Sequence, residues 1–208
     1  EMYFPNASID VVEIDPEVSR IAHRYLGIPK DTRIKTYNED ARWFVMNHKK
    51  DVQYDCIFLD AYNDLSIPYH LTTREFIAQL KPLLKRDGII LANLIDDVET
   101  GLLLPTFIKT LEAVFGKEHA NLIVPMSSGG IGITTCIVAA GSQKLNMDDF
   151  IEKVSEIKGN RMISCLMPQG MLQQDLSKRN AVVLTDDYVP VDNLVAPIFE
   201  ERFGYRRN

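Results

Sequence analysis

The run Ile9-Asp10-Val11-Val12-Glu13-Ile14-Asp15-Pro16 constrains the fold more than any other stretch of the chain. It is an apolar strand that closes on an acidic residue and passes directly into a helix opened by proline. Proline suits a first helical position, because its φ is already helical and its missing N–H is not needed there. A strand that feeds a helix through so short a connection belongs to a parallel α/β sheet. An acid at the carboxyl end of such a strand can accept hydrogen bonds from both hydroxyls of a ribose. In a nucleotide-binding sheet this is the second strand, so a first strand and a glycine-rich turn are expected before it. Residue 9 leaves no room for them here, and the sheet is expected to lack its first βα unit.

The rest of the chain continues the alternation. Strands are expected over 9–14, 33–37, 54–59 (a buried parallel strand), 89–94, 120–124 and 131–139. Helices are expected over 16–25, 40–47, from Thr72 or Thr73 to Leu84, over 99–115 with an interruption near Pro105, over 148–157 and over 193–200. Asp87-Gly88 reads as a turn into the fourth strand. Met126-Ser127-Ser128-Gly129-Gly130 reads as a hairpin turn, or less simply as a phosphate nest. The fold class is therefore α/β, a doubly wound sheet that is mostly parallel with an antiparallel edge hairpin. No linker splits the chain, so 1–208 is expected to form one domain, with 160–208 as a C-terminal lid or appendage. The Gly/Pro/Gln stretch 167–174 is expected to be a surface loop.

Composition narrows the partners. At 208 residues and 46% hydrophobic, the chain has enough apolar material for a sizeable core. A net charge of −6 argues against nucleic acid and suits a cationic small molecule such as an amine. The three cysteines, Cys56, Cys136 and Cys165, are far apart and read as reduced thiols of a cytoplasmic protein. No cysteine or histidine spacing suits a metal, and none is expected. No apolar run approaches the ~20 residues of a membrane span. The chain starts at Glu1, so it reads as a piece of a longer protein, and a membrane segment upstream stays open.

Acidic residues recur at the strand ends, where ligands bind in an open parallel sheet. Glu13 is a ribose acceptor or a capping carboxylate. Asp15 is the expected cap of the following helix. Asp40 can accept from the exocyclic amine of an adenine, cap its helix, or do both. Asp60 can hold a substrate cation or take its proton, because an amine must lose a proton as it attacks carbon; otherwise it is an exposed loop aspartate. His70 lies near this end of the sheet and is structural or substrate-facing. In Thr185-Asp186-Asp187-Tyr188-Val189-Pro190, Asp187 and Tyr188 either supply negative charge and an aromatic wall for a polyamine or form a surface turn.

Taken together, these motifs resemble the spermidine/spermine synthase family, the aminopropyltransferases. Val12-Glu13-Ile14-Asp15 is similar to that family's ribose-binding strand end, and Glu39-Asp40-Ala41 to its adenine-binding motif. Tyr54-Asp55-Cys56-Ile57-Phe58-Leu59-Asp60 and Leu71-Thr72-Thr73-Arg74-Glu75-Phe76 are similar to its catalytic strand and following helix. The resemblance implies a Rossmann-like fold of the S-adenosylmethionine-dependent methyltransferase type. It also implies decarboxylated S-adenosylmethionine as donor, an amine such as putrescine as acceptor, and a homodimer. It assigns Asp60 as general base and Glu13, Asp15, Asp40 and Ala41 to the donor. Tyr62, Asn63, Asp64, His70, Asp187 and Tyr188 fall to the amine. Family members usually carry a second aspartate where this chain has Asn63, with Asp64 next to it. That and the 185–190 loop place the chain nearer the divergent branch, whose members are often fused to membrane segments.

Three functions follow as expectations. The first is aminopropyl transfer, a step of polyamine biosynthesis. The second is methyl transfer from intact S-adenosylmethionine to an unknown acceptor. The third is a binding module that keeps the fold without turnover. This stretch alone, lacking the glycine-rich turn, is expected to bind donor weakly and to self-associate through exposed strand edges.

Overall fold

The computed structural model describes residues 4–29, 31–47, 52–61, 67–124, 132–156 and 178–204. They fall into two compact units, Glu1–Asp51 and Val52–Asn208.

The first unit is a two-stranded parallel ladder with a helix after each strand. β1 (Asp10–Val12) pairs with β2 (Lys35–Tyr37) in the register Asp10↔Lys35, Val11↔Thr36, Val12↔Tyr37. Both strands are shorter than expected, although Lys35 N–H to Ile9 O and Glu13 N–H to Tyr37 O extend the bonding at each end. Ile14, expected inside the strand, is exposed. Helix α1 (Pro16–Tyr25) has the expected bounds, with Asp15 as cap: its Oδ1 accepts from Glu17 N–H at 2.8 Å. Helix α2 (Ala41–Asn47) buries Phe44 against Tyr37, the ring centres 4.8 Å apart.

The second unit is a four-stranded sheet in the order β3-β4-β6-β5. β3 (Tyr54–Leu59) pairs in parallel with β4 (Leu84–Asp97). β6 (Ile133–Gly141) runs antiparallel to both β4 and β5 (Ala120–Ile123), which is the expected antiparallel hairpin. Its connection, residues 125–131, lies outside the described residues, as do 167–174 and, of the expected lid, 160–177 and 205–208.

Helix α3 (Arg74–Leu80) starts at Thr73, whose Oγ1 accepts from Phe76 N–H, and gives way to a 3-10 turn at Lys81–Leu83, where Pro82 cannot continue α-helical bonding. Helix α4 (Leu103–Phe115) lays Leu103, Leu104, Phe107, Thr110, Leu111 and Phe115 on one face, all buried. That three-to-four spacing is what a helix covering a sheet requires. Helices α5 (Met147–Ser155) and α6 (Val191–Phe203) complete the described elements.

Several expectations are corrected. β4 does not begin after Asp87-Gly88: it runs through them as a bulge, since Tyr54 pairs with Leu84 but Cys56 with Ile89. A side chain at 88 would stand 2.8 Å from Tyr54 O, so the bulge needs glycine. α4 starts at Leu103 rather than 99, because Asp97 Oδ1 takes the N–H groups of Glu99 and Thr100 into a turn of their own. Pro105 then falls in the first turn of the helix and interrupts nothing. β3 is parallel but not buried: Phe58 is 72% exposed. α6 begins at Val191, which puts Asp192 inside its first turn rather than ahead of it.

Cys136 is buried, and Cys56 half-buried, both as free thiols; burial pushes the Cys136 thiol up to about 12, out of reach of ordinary thiolate chemistry. Among the described residues, no helix is long and apolar enough to cross a membrane.

Candidate functional site

In the first unit the carboxyl ends of β1 and β2 lie side by side, as parallel pairing demands. Glu13 follows β1, and its Oε1 accepts from Asp15 N–H at 2.9 Å, which turns the carboxylate back over the start of α1. Asn38 follows β2 and bridges the two ends, donating from Nδ2 to Glu13 O at 3.2 Å and to Ser19 Oγ at 2.7 Å. Two residues on, Asp40 Oδ1 accepts from Trp43 N–H at 3.0 Å at the start of α2, which holds Ala41 as first helical residue. Glu13, Asp15, Asp40 and Ala41 are thus gathered at one edge of the ladder. Each of the three acids also meets a local backbone need.

In the second unit Asp60 follows β3 directly and is exposed. The ladder register Ile57↔Ile90, Phe58↔Leu91, Leu59↔Ala92 continues to place Asp60 beside Asn93. Asn93 Nδ2 donates to Asp60 Oδ1 at 2.8 Å. Side chains alternate across β4, so Asn93 shares a face with Leu91 and Ile95 while Ala92 and Leu94 are buried on the other. Sequence reasoning passed over Asn93, although a signal was present: it is a lone carboxamide in the apolar run Ile89-Ile90-Leu91-Ala92-Asn93-Leu94-Ile95.

The loop carrying Asp187 and Tyr188 is fastened to the first turn of α3. Arg74 N–H donates to Leu184 O at 2.8 Å, and Asp186 N–H donates to Glu75 Oε2 at 3.0 Å. Burial works to raise the Glu75 carboxyl, but the Arg74 guanidinium, 2.6 Å from Oε1, and the Asp186 N–H leave it below its ordinary value. Thr185 and Tyr188 close the loop through reciprocal backbone bonds of 3.0 Å, with Tyr188 59% exposed at its tip and Asp187 exposed beside it. His70 sits half-buried on the 3-10 turn Tyr69–Leu71, its ring edge-on to Tyr69. Tyr62, Asn63 and Asp64 lie outside the described residues. Among the described residues, no group of three metal-ligating side chains is present.

Comparison with solved structures shows the fold. The chain superimposes on a probable spermidine synthase from Corynebacterium glutamicum with TM-score 0.68, covering 88% of this chain and 65% of that one at 21% identity. Its fold is thus the Rossmann-like α/β fold of that structure. The spermine/spermidine synthase domain matches residues 2–149, and the chain belongs to that family. It is 36% identical over 142 residues to a polyamine aminopropyltransferase of Vibrio vulnificus, covering 68% of this chain and 46% of that protein. It is 32% identical over 210 residues to a probable polyamine aminopropyl transferase of Bifidobacterium longum, covering 93% of this chain and 45% of that protein. The chain spans a little under half the length of these two curated relatives.

Proposed function

We propose that the full-length protein transfers an aminopropyl group from decarboxylated S-adenosylmethionine to an amine such as putrescine, with Asp60 as general base. The observation that carries this reading is the setting of Asp60. It stands exposed at the carboxyl end of a parallel strand, with one oxygen held by Asn93, inside the stretch that matches the family. In the proposed step the amine nitrogen's lone pair attacks the methylene carbon next to the donor's sulfonium. A C–N bond forms, the C–S bond breaks, and its electrons neutralise the sulfur, releasing a thioether nucleoside. The proton shed by the amine passes to Asp60. The acceptor reacts only as a free amine held in line with that carbon, so orientation is as much Asp60's task as proton removal.

Glu13 and Asp15 are the proposed ribose contacts, and Asp40 and Ala41 the proposed adenine contacts. For the amine's far end we assign Tyr62, Asn63, Asp64, His70, Asp187 and Tyr188, with Asp64 supplying the charge that an asparagine at 63 cannot. The full-length protein is proposed to act as a homodimer without a metal.

The test is product formation from decarboxylated S-adenosylmethionine and putrescine by full-length protein, wild type against Asp60→Asn. The variant is expected to lose turnover while still gaining thermal stability from the donor; full turnover would remove Asp60 from the mechanism. A thermal shift with intact S-adenosylmethionine that exceeds the shift with the decarboxylated form would favour methyl transfer instead.

A further inference from the structure

Asn93 is an anomaly on packing grounds. It interrupts an apolar strand, and its Oδ1 is buried with no hydrogen-bond partner among the described residues. A leucine would fill the same place without stranding an acceptor. What leucine could not do is donate, and Asn93 Nδ2 donates to Asp60 Oδ1 at 2.8 Å. The orientation of the amide follows from chemistry, because an ionised carboxylate only accepts and the NH2 must face it. Asn93 lies in β4 and Asp60 directly follows β3, one step beyond the register pair Leu59↔Ala92, so the end of the ladder brings the two side by side.

We infer that Asn93 is a positioning residue for Asp60: its carboxamide pins Oδ1 and leaves Oδ2 as the oxygen that meets the amine proton. This rests on the reading of Asp60 as general base.

The experiment compares wild type, Asn93→Asp, Asn93→Leu, Asn93→Gln and Asp60→Asn in the full-length protein with putrescine and decarboxylated S-adenosylmethionine. Asn93→Asp is decisive because it keeps the shape and turns the donor into a second negative charge. It is expected to move the acidic limb of kcat/KM up by roughly one pH unit or more and to lower kcat by about tenfold or more. Asn93→Leu is expected to lower kcat as well, and Asn93→Gln, which keeps a donor, to restore part of it. The position of the limb does not depend on how much of the sample is folded, so a poorly folding variant still reports. If Asp60→Asn is dead while Asn93→Asp and Asn93→Leu keep the wild-type limb and kcat, the positioning role is overturned and the general base stands. If Asp60→Asn keeps full turnover, both fall.

Discussion

The carboxyl ends of β3 and β4 are neighbours in one sheet, and each carries an aspartate put to opposite use. Asp60 is exposed, and its Oδ1 meets a side-chain amide. Asp96, on the other face of β4 from Asn93, is fully buried. Its Oδ1 accepts from Asp97 N–H at 2.9 Å and its Oδ2 from Leu104 N–H at 2.8 Å. The difference comes from the helix that follows each strand. After β3, Thr73 caps α3, so no helix end draws on Asp60. After β4, the residue ahead of α4 is Leu102, which has no capping oxygen, and the first-turn N–H groups would be stranded in the core. Asp96 reaches across from the strand to take one of them, the Leu104 N–H. Arg179 braces the same corner, its guanidinium donating to the carbonyls of Val98 and Gly101. Asp60 is spared a capping duty because Thr73 meets the demand of α3, whereas nothing in the sequence just ahead of α4 spares Asp96.

Asp60→Asn gives the largest effect expected from this contrast. If Asp60 is the general base as proposed, the variant lowers kcat by roughly 10²–10⁴-fold, while an exposed side chain changed by one atom shifts stability by less than about 0.5 kcal/mol. Steady-state kinetics and thermal unfolding on the same preparation test both halves. A large loss of stability with kcat intact would make Asp60 resemble Asp96 and break the comparison.

Asp96 predicts the reverse pattern, and its sign is unusual for an aspartate. Burial dominates and raises its carboxyl from 3.8 to about 6, against the two backbone N–H groups that pull it down. The folded state therefore holds this proton more tightly than the unfolded chain. The penalty for ionising Asp96 is absent below the unfolded value, grows through the interval between the two values, and is complete above the folded one. A shift of this size corresponds to about 3 kcal/mol. Asp96→Asn cannot ionise, so its stability relative to wild type should rise by about 2 kcal/mol from pH 4 to pH 7, whatever constant offset the altered hydrogen bonds add. Urea unfolding at three pH values measures it. A flat difference would show that the buried carboxylate ionises freely in the fold.

Gly101→Ala probes the same corner by volume. A methyl group there would overlap the Asp96 carboxylate, which two hydrogen bonds hold in place, so it cannot swing aside. The expected loss is about 1–3 kcal/mol, read as a lower urea midpoint, with donor-dependent turnover at permissive temperature unchanged. The double variant with Asp96→Ala should lose most of that effect, since the clash is with one side chain.

How much of this was legible in the sequence divides along the same line. Local chemistry wrote the bounds of α1 and β3, the caps Asp15 and Thr73, and the acids that close each strand. Those depend on residues within a turn of one another. What stayed hidden depends on partners distant in sequence. Asp87-Gly88 has turn chemistry, yet it is a bulge because β3 holds β4 on either side of it. Asn93 looks like a flaw in an apolar strand until the register sets it beside Asp60, 33 residues away. Asp96 was unread because the helix it caps begins later than the helix-like residues do. Phe58 reads as core in a run of apolar residues, and only the sheet order shows how little covers it.

Thr73→Ala gives the smallest effect and sharpens the contrast most directly, since Thr73 does for α3 what Asp96 does for α4. Its hydroxyl accepts from Phe76 N–H at 3.3 Å, at a helix start that is itself buried, with Thr73 1% exposed. Losing the cap is expected to cost about 1 kcal/mol. Because a hydroxyl does not titrate, the loss should be the same at pH 4 and pH 7, unlike that at Asp96. Thr73→Ser keeps the oxygen and should recover most of it, and the proposed turnover should fall only as far as the folded fraction falls. A pH-dependent loss, or one far above 1 kcal/mol, would mean that Asp60 is drawn toward the uncapped end of α3. The freedom of Asp60 would then depend on the threonine thirteen residues after it.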